Sequence, residues 1–239
     1  MIPINEIFGP TIQGEGPHIG EPCAFIRLHG CPVHCPGCDT YFTWDGSEKP
    51  SKLTVDDVLE QVAKLVPKSN GIILSGGEPL LYHNKRWLLD LLEELNSTYA
   101  WVDLETSGYT TKKVAVPELL HFTSYFRHIS LSPKVTPCLH GRQSYEDLTT
   151  WVPTIIRCHQ KSTQVSVKLV ARDAEDIEAV DKFVSDFLVP GVRVFVMPYG
   201  LTADEVTECG KYLVGVCSDK NYILTPRLHT IYWGTKRGV

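Results

Sequence analysis

The segment Gly30-Cys31-Pro32-Val33-His34-Cys35-Pro36-Gly37-Cys38-Asp39-Thr40 carries three cysteines within eight residues. Glycine and proline separate them, and because both residues interrupt helices and strands, we predict a loop that bends around one centre. Thiolates are soft ligands that suit Zn(II), Cu(I) or an iron–sulfur cluster. A structural zinc site needs a fourth ligand, for which Cys23, His29 and His34 are candidates, whereas three protein ligands leave one position for another molecule. On spacing alone, zinc, an iron–sulfur cluster and unligated thiols all remain open.

The chain around this loop has an ordinary composition. Its 239 residues, 43% apolar and 21% charged, suit one domain. The net charge of -5 and the lack of a Lys/Arg run argue against direct binding of DNA or RNA. No apolar run approaches the ~18 residues of a membrane span and no secretory signal is visible, so we expect no membrane contact and a cytoplasmic location. Four scattered cysteines are expected to be reduced, buried thiols: Cys138, Cys158, Cys209 and Cys217.

Apolar runs and helical periodicity alternate along the chain. Buried strands are predicted at 23–28, 71–75, 99–104, 128–131, 164–170 and 192–197, with a short last strand at 222–224. Helices are predicted between the N-cap Thr54 and Pro67, and at 85–95, 145–158, 174–188 and 202–217. This βα repeat indicates a parallel sheet with right-handed crossovers, and the apolar strands indicate that both faces are covered. Residues 1–22, rich in glycine and proline, are predicted to be a loop or hairpin that lies over another part of the molecule.

Polar motifs follow four of the predicted strands. They are the cysteine loop, Gly76-Gly77-Glu78-Pro79, Glu105-Thr106-Ser107-Gly108 and Ser132-Pro133-Lys134. Each one alone could be an ordinary turn or cap, and an exposed lysine is usually solvated. Because the carboxyl ends of parallel strands share one rim, where ligands bind, the four motifs together predict a functional site.

The spacing Cys31-x3-Cys35-x2-Cys38 and the turn Gly76-Gly77-Glu78 resemble those of the radical S-adenosylmethionine enzymes. The resemblance implies an α/β fold, a partial (β/α)6 barrel, in which the three cysteines hold a [4Fe–4S] cluster. The methionine part of S-adenosylmethionine then binds the fourth iron, which accounts for the missing protein ligand. The residues that the resemblance assigns to S-adenosylmethionine are Gly76, Gly77, Glu78, Glu105, Ser107, Ser132, Pro133 and Lys134.

Nearly the whole chain is similar to the 7-carboxy-7-deazaguanine synthase family. The motifs that carry this similarity are Thr11-Ile12-Gln13-Gly14-Glu15-Gly16, Phe25-x-Arg27-Leu28-x-Gly30-Cys31, Cys38-Asp39-Thr40 and Leu228-His229-Thr230. The resemblance implies ring contraction of 6-carboxy-5,6,7,8-tetrahydropterin to 7-carboxy-7-deazaguanine with loss of ammonia, in queuosine-type 7-deazapurine synthesis. In this family the radical chemistry belongs to the cofactor, so no protein residue is assigned a catalytic role.

The resemblance also assigns substrate and metal residues. Ile12, Gln13, Gly14, Glu15, Ser75 and His229 would contact the pterin. Arg27 would hold the substrate carboxylate bidentately, since a guanidinium suits this geometry, but it could equally form a surface ion pair. Thr40 would help to hold Mg²⁺, which prefers oxygen ligands, or would simply cap a turn. Arg227 stands where the family usually has Gln, so it is expected either to point away from the substrate or to make a different contact.

The remaining expectations concern organisation and alternatives. We expect one domain over 1–239, in which 1–22 cover the substrate, 23–200 form the barrel core and 201–239 form a C-terminal extension that helps to close the site. By resemblance we expect a homodimer and a flavodoxin-like or other low-potential reductant. The competing enzyme is a radical S-adenosylmethionine activase that acts on a protein partner. The competing class is a non-catalytic zinc or iron–sulfur module.

Overall fold

The computed structural model describes residues 1–111, 114–158 and 163–239. Its strands are β1 (Ile2–Ile12), β2 (Pro22–Leu28), β3 (Ser51–Leu53), β4 (Gly71–Gly76), β5 (Trp101–Thr106), β6 (His128–Leu131), β7 (Gln164–Ala171), β8 (Arg193–Pro198) and β9 (Ile223–Leu224). Its helices are α1 (Val55–Leu65), α2 (Arg86–Thr98), α3 (Val116–Thr123), α4 (Tyr145–Cys158), α5 (Ala174–Phe187), α6 (Ala203–Lys220) and α7 (Leu228–Trp233).

In these described ranges the strands form one sheet in the order β3-β1-β2-β4-β5-β6-β7-β8-β9. From β2 to β9 every neighbouring pair is parallel, and β1 is antiparallel to both β2 and β3. The predicted α/β fold with a mostly parallel sheet is therefore confirmed. The carboxyl ends of β2, β4, β5 and β6, where the four polar motifs lie, are neighbours along one edge of the sheet.

The N-terminal segment differs from its prediction as a covering loop. Its first half is the strand β1, in which Ile2 and Ile4 are buried in the core, so the hairpin alternative describes it better. Register shifts interrupt the β1–β2 pairing between Ile4 and Glu6 and between Phe8 and Thr11. Bulges of this kind let a strand accept glycine and proline, which the sequence pattern had indicated as breakers.

The two faces of the sheet are both covered, as expected, but they differ in polarity. One face carries residues such as Ile26, Leu74 and Val167, which share a core with the helices. The register places Arg27 beside Ser75, Asp103 beside His128, and Glu105 beside Ser130, so these side chains share the opposite face. The other members of this polar face are Ser166 and Lys168. The polar face is covered by residues 13–21, which connect β1 to β2.

Two of the predicted helices begin at capping boxes. Thr54 and Asp57 form a capping box at α1, and Thr202 and Glu205 form one at α6. Helix α4 has the predicted bounds, and Pro153, which was expected to interrupt it, lies inside the helix. The strand β3 and the helices α3 and α7 were not predicted. None of the helices in the described part of the chain is both long and apolar enough to span a membrane.

Candidate active site

The cysteine loop leaves the end of β2 and is fixed by backbone hydrogen bonds. Gly30 N donates to Thr43 O at 2.7 Å, and Arg142 N donates to Val33 O at 2.6 Å. His34 adopts a positive φ of 53° and stacks on Trp44 with ring centroids 4.5 Å apart. These contacts hold the loop in a bent form before any metal binds.

The three cysteines offer soft thiol ligands in apolar surroundings, as an iron–sulfur cluster requires, and their sulfurs are not gathered as closely as around a single zinc ion. Thiolates bound to one zinc lie about 3.8 Å apart, given Zn–S bonds of ~2.3 Å. Among the described residues, the one group whose ligand atoms all lie within 4.8 Å of one another is His18, Asp103 and His128, so the cysteine sulfurs are more widely spread. Apolar groups surround them: Val33, Cys138, Leu139, Val170 and Met197.

Burial makes the thiols weak acids in the absence of metal. It raises the pKa of Cys31 to about 12 and that of Cys35 to about 11. Metal binding at this loop would therefore release protons, as is usual when thiols become thiolate ligands. The positive charge of Lys134 opposes this rise in the pKa of Cys35. The Nζ of Lys134 donates to Ser132 Oγ at 2.9 Å.

The turn Gly76-Gly77-Glu78 lies directly against the chain that leads into the cysteine loop. Gly77 N donates to Leu28 O at 2.9 Å, and Glu78 N donates to Gly30 O at 2.8 Å. A Cβ on Gly77 would overlap the carbonyl oxygen of Gly30, and Gly76 has a φ of +136°. Glycine at both positions is therefore required for the turn to approach the loop.

The Glu78 side chain is fully buried and links this turn to the end of β5. Its carboxylate accepts hydrogen bonds from Thr106 Oγ1 at 2.5 Å, from Ser107 N at 2.8 Å and from Leu80 N at 3.0 Å, and also from Ser107 Oγ. Burial raises the pKa of Glu78, although the hydrogen bonds from Ser107 and Thr106 oppose the rise. Glu78 thus positions Ser107, and its contact with S-adenosylmethionine stays a prediction.

A second polar cluster lies on the polar face of the sheet. Ser75 Oγ donates to Glu105 Oε2 at 2.9 Å, and Gln13 Nε2 donates to Glu105 Oε1 at 3.2 Å. Glu105 was predicted to contact S-adenosylmethionine, but the structure places it among the predicted substrate residues. Because β5 extends to Thr106, Glu105 lies within the strand rather than after it.

Glu15 connects this cluster to two basic residues. Lys168 Nζ donates to Glu15 Oε2 and lies 3.6 Å from Glu105 Oε1, while Arg227 Nε lies 3.5 Å from Glu15 Oε1. Burial alone would raise the pKa of Glu15, but the charges of Lys168, His229 and Arg227 outweigh it and hold this pKa well below its usual range. Glu15 is therefore a carboxylate at any pH near neutrality.

Arg227 points into the site and joins it to the cysteine loop. Its Nη2 donates to Asp39 Oδ2 at 2.5 Å, and its Nη1 donates to Gly200 O. Burial alone would raise the pKa of Asp39, but the charges of Arg227, His229 and Arg27 together outweigh it, so Asp39 titrates below its usual range. Arg227 is thus held by Glu15, Asp39 and Gly200, and its relation to the substrate stays a prediction.

His229 and Gly14 bring the C-terminal helix against the N-terminal segment. Leu228 N donates to Gly14 O at 3.0 Å, and a Cβ on Gly14 would contact the His229 ring. His229 Nε2 lies 3.7 Å from Glu15 Oε1. Ile12 faces a nearby open groove of about 530 Å³, which is lined by Pro10, Thr11, Tyr232, Trp233, Gly238 and Val239.

Arg27 and Thr40 occupy the edges of the site. Arg27 Nε donates to Glu6 Oε1 at 2.8 Å, and its guanidinium lies over the Phe8 ring. Thr40 precedes the short 3-10 helix Tyr41–Thr43 but makes no side-chain capping hydrogen bond, and its Oγ1 lies 3.4 Å from Cys38 Sγ. Of the two alternatives given for these residues, the ion pair of Arg27 is present and the side-chain cap of Thr40 is not, and both ligand roles remain predictions.

A third cluster on the polar face, formed by His18, Asp103 and His128, has metal-ligand composition. The positive charge in this cluster comes from the Arg127 guanidinium. Its Nη2 lies 2.7 Å from Asp103 Oδ2 and 2.9 Å from His18 Nδ1. Burial lowers the pKa of His128 to about 3, so this imidazole is neutral. The cluster fastens the 13–21 segment to β5 and β6.

Lys168 is the site residue that sequence reasoning missed. A signal for it was present, since Gln164-Val165-Ser166-Val167-Lys168 alternates polar and apolar residues, as a strand with one polar face does. The same alternation occurs in Trp101–Thr106 and in His128–Leu131.

A family model described as a 4Fe-4S single cluster domain matches residues 12–129. The chain is 31% identical to 7-carboxy-7-deazaguanine synthase of Bacillus subtilis over 100% of the chain and 98% of the relative. It is 30% identical to the synthase of Pyrobaculum aerophilum over 98% of the chain and 96% of the relative. The chain belongs to the 7-carboxy-7-deazaguanine synthase family. Membership confirms the prediction of a radical S-adenosylmethionine enzyme that uses a [4Fe–4S] cluster.

Solved structures agree on the fold of this synthase family. The structure of QueE from Escherichia coli superposes with a TM-score of 0.64 at 24% identity, over 95% of this chain and 94% of that one. Streptococcus suis SuiB bound to S-adenosylmethionine superposes with a TM-score of 0.55 at 14% identity, over 85% of this chain and 50% of that one. At these identities the two neighbours support the α/β fold alone.

Proposed function

We propose that this enzyme converts 6-carboxy-5,6,7,8-tetrahydropterin to 7-carboxy-7-deazaguanine with loss of ammonia, in queuosine-type 7-deazapurine synthesis. The observation that carries the proposal is the polar cluster around Glu15 and Glu105. It contains Gln13, Ser75 and His229, which the family resemblance assigns to the pterin, and Arg227 connects it to the cysteine loop.

Cys31, Cys35 and Cys38 hold the [4Fe–4S] cluster in this proposal. When bound, the cluster and S-adenosylmethionine supply radical abstraction of a hydrogen atom from the substrate. Gly76 and Gly77 let the backbone approach the ligand, and Glu78 fixes Ser107 beside it. Ser132, Pro133 and Lys134 border the same edge of the sheet.

The protein's own groups bind and shield the pterin. Arg27 keeps its Nε on Glu6 and offers its Nη1 and Nη2 atoms to the substrate carboxylate. Glu15 and Glu105 accept hydrogen bonds from N–H groups of the ring system, and His229 with Gly14 and Ile12 closes the side formed by the C-terminal helix. The 13–21 segment and the C-terminal tail exclude water from the reacting atoms.

Several features of the proposal rest on the family resemblance alone. Thr40 contributes an oxygen ligand to Mg²⁺ at the substrate carboxylate. The sheet curves as a partial (β/α)6 barrel in a single domain spanning 1–239, with 201–239 as an extension. The proposal also includes a homodimer, a flavodoxin-like or other low-potential reductant and a cytoplasmic location.

Anaerobic incubation of the cluster-loaded, reduced protein with S-adenosylmethionine and 6-carboxytetrahydropterin tests the proposal. We expect a product that has lost one ammonia, identified by mass spectrometry, with a rate that depends on Mg²⁺ and loses this dependence in T40A. Cleavage of S-adenosylmethionine with an unchanged pterin would overturn the substrate assignment and leave the activase alternative. An unchanged Mg²⁺ dependence in T40A would remove Thr40 from the metal site.

A further inference from the structure

Lys168 is a buried charge that the reaction outlined above does not use. It lies on β7, its side chain is 7% exposed, and it faces the polar side of the sheet. An ammonium group is costly to bury unless partners compensate its charge. Here Glu105 and Glu15 do so, and together they raise the pKa of Lys168 against the opposing effect of burial.

In the part of the chain that the structure describes, Lys168 is the one cation in contact with both carboxylates. Its Nζ donates to Glu15 Oε2 and lies 3.6 Å from Glu105 Oε1. Gln13 and Ser75 also bind Glu105, but they are neutral and cannot compensate its charge. Arg227 and His229 lie near the other carboxylate oxygen of Glu15, Oε1.

The carboxylates of Glu15 and Glu105 are suited to a ligand edge that carries N–H donors. The 2-amino-4-oxo pyrimidine ring of a pterin presents adjacent N–H donors, and an ionised carboxylate is the stronger acceptor for them. Without Lys168 the two carboxylates would repel each other, and Glu105, whose other hydrogen-bond partners Gln13 and Ser75 are neutral, would take up a proton more easily and lose acceptor capacity.

We infer that Lys168 is a positioning residue for the pterin, which keeps Glu15 and Glu105 ionised and oriented as acceptors for the N–H edge of the ring. This inference rests on the function proposed above. It assigns recognition of the pyrimidine ring to the cluster on β5 and β7, and recognition of the substrate carboxylate to Arg27 on β2. Lys168 acts through the two glutamates and need not touch the substrate.

The test is a fluorescence titration of 6-carboxypterin, an oxidised fluorescent analogue, against cluster-loaded protein with S-adenosylmethionine and no reductant, so that no turnover occurs. The variants are K168M, K168Q and K168R, each measured between pH 5.5 and 7.5. The control is K64M, since Lys64 is exposed and pairs with Glu60 on the surface of α1. Iron content and the thermal midpoint report on folding.

We expect the unaltered protein, K64M and K168R to bind with similar affinity across this pH range. K168M and K168Q should bind at least about tenfold more weakly at pH 5.5 and recover part of the loss by pH 7.5, because the carboxylates then ionise without Lys168. If K168M bound the pterin with the same affinity and pH profile as the unaltered protein, this inference would be overturned, while the proposed function would stand. Loss of iron in both neutral variants would also overturn it, by making Lys168 structural. If the unaltered protein bound no pterin, the proposed function itself would fall.

Discussion

The guanidinium of Arg27 has two sides that can serve two partners at once. Its Nε donates to Glu6 Oε1 at 2.8 Å, so the Nη1–Nη2 side is the one that can bind a carboxylate. A lysine ammonium cannot do both in a fixed geometry. We expect R27K to raise the KM for the pterin about 10- to 100-fold, the equivalent of one charge-assisted hydrogen bond at roughly 1.5–3 kcal/mol. Steady-state kinetics of the cluster-loaded enzyme measures the effect.

The matched control is R193K. Arg193 is an exposed strand residue whose guanidinium lies over Phe195, as that of Arg27 lies over Phe8. We expect R193K to keep the KM, and both variants to keep their iron content and the cleavage of S-adenosylmethionine. If R27K lost iron, Arg27 would support the cysteine loop instead of the substrate.

Individual residues of the site were predictable to different degrees. The cysteine ligands and the Gly76-Gly77 turn are short-range motifs whose chemistry requires those residue types, so one segment of sequence is enough to find them. Lys168 meets Glu15 across 153 positions of the chain. Such a pair depends on strand register and on the path of the 13–21 segment, neither of which a local pattern contains.

Among the elements, the turn after β4 is the one that fixes the distance between two parts of the site. Gly77 lies so close to Gly30 that a Cβ would overlap the Gly30 carbonyl oxygen. Since backbone cannot move away as a flexible side chain can, G77A should displace the cysteine loop. We expect G77A to retain less than half of the iron of the unaltered protein after reconstitution, measured by iron analysis and by the visible absorbance of the cluster.

The control for this variant is G210A. Gly210 lies inside α6 with open space around its Cα, so alanine should keep iron binding and add a few tenths to ~1 kcal/mol of stability. Full iron loading of G77A would mean that the loop tolerates the shift and that the close approach is not required.

The elements that were predicted and those that were missed differ in their local signals. Helices α1 and α6 have capping boxes and a buried stripe, and both were found. Helix α7 has six residues and no side-chain cap, and β3 has three residues that are exposed or half-buried. Such elements form because neighbours hold them, which is a tertiary effect that propensity does not record.

The parallel part of the sheet, from β2 and β4 to β9, could be anticipated, because short connections place consecutive βα units side by side. The polar face could not be inferred from the overall share of apolar residues in the strands. Its buried charges gain further partners from residues 13–21, a different part of the chain, with His18 on Asp103 and Glu15 on Lys168. The fold was therefore easier to predict than the cluster it encloses.

Residues from near the two ends of the chain are in contact through Arg237. Arg237 Nη1 donates to Glu48 Oε1 at 2.5 Å, and its Nη2 donates to Glu6 Oε2 at 3.3 Å. Its guanidinium also lies 3.4 Å from the centre of the Phe42 ring. Because Glu6 binds Arg27 with its other oxygen, the C-terminal tail is coupled to the residue proposed to hold the substrate carboxylate.

We expect R237M to raise the KM for the pterin about two- to tenfold while kcat and iron content stay within twofold. The side chains of Arg237 and Glu48 are each 40% exposed, so their contribution to holding the tail is modest. We expect about 0–1 kcal/mol from the ion pair and about 0.5–1 kcal/mol from the cation–π contact. Kinetics of R237M and of R86M, which removes an exposed pair on α2, measures the difference. An unchanged KM in R237M would show that the tail packs against β1 without influencing Arg27. A loss of kcat with an unchanged KM would place the tail at a later step than substrate binding.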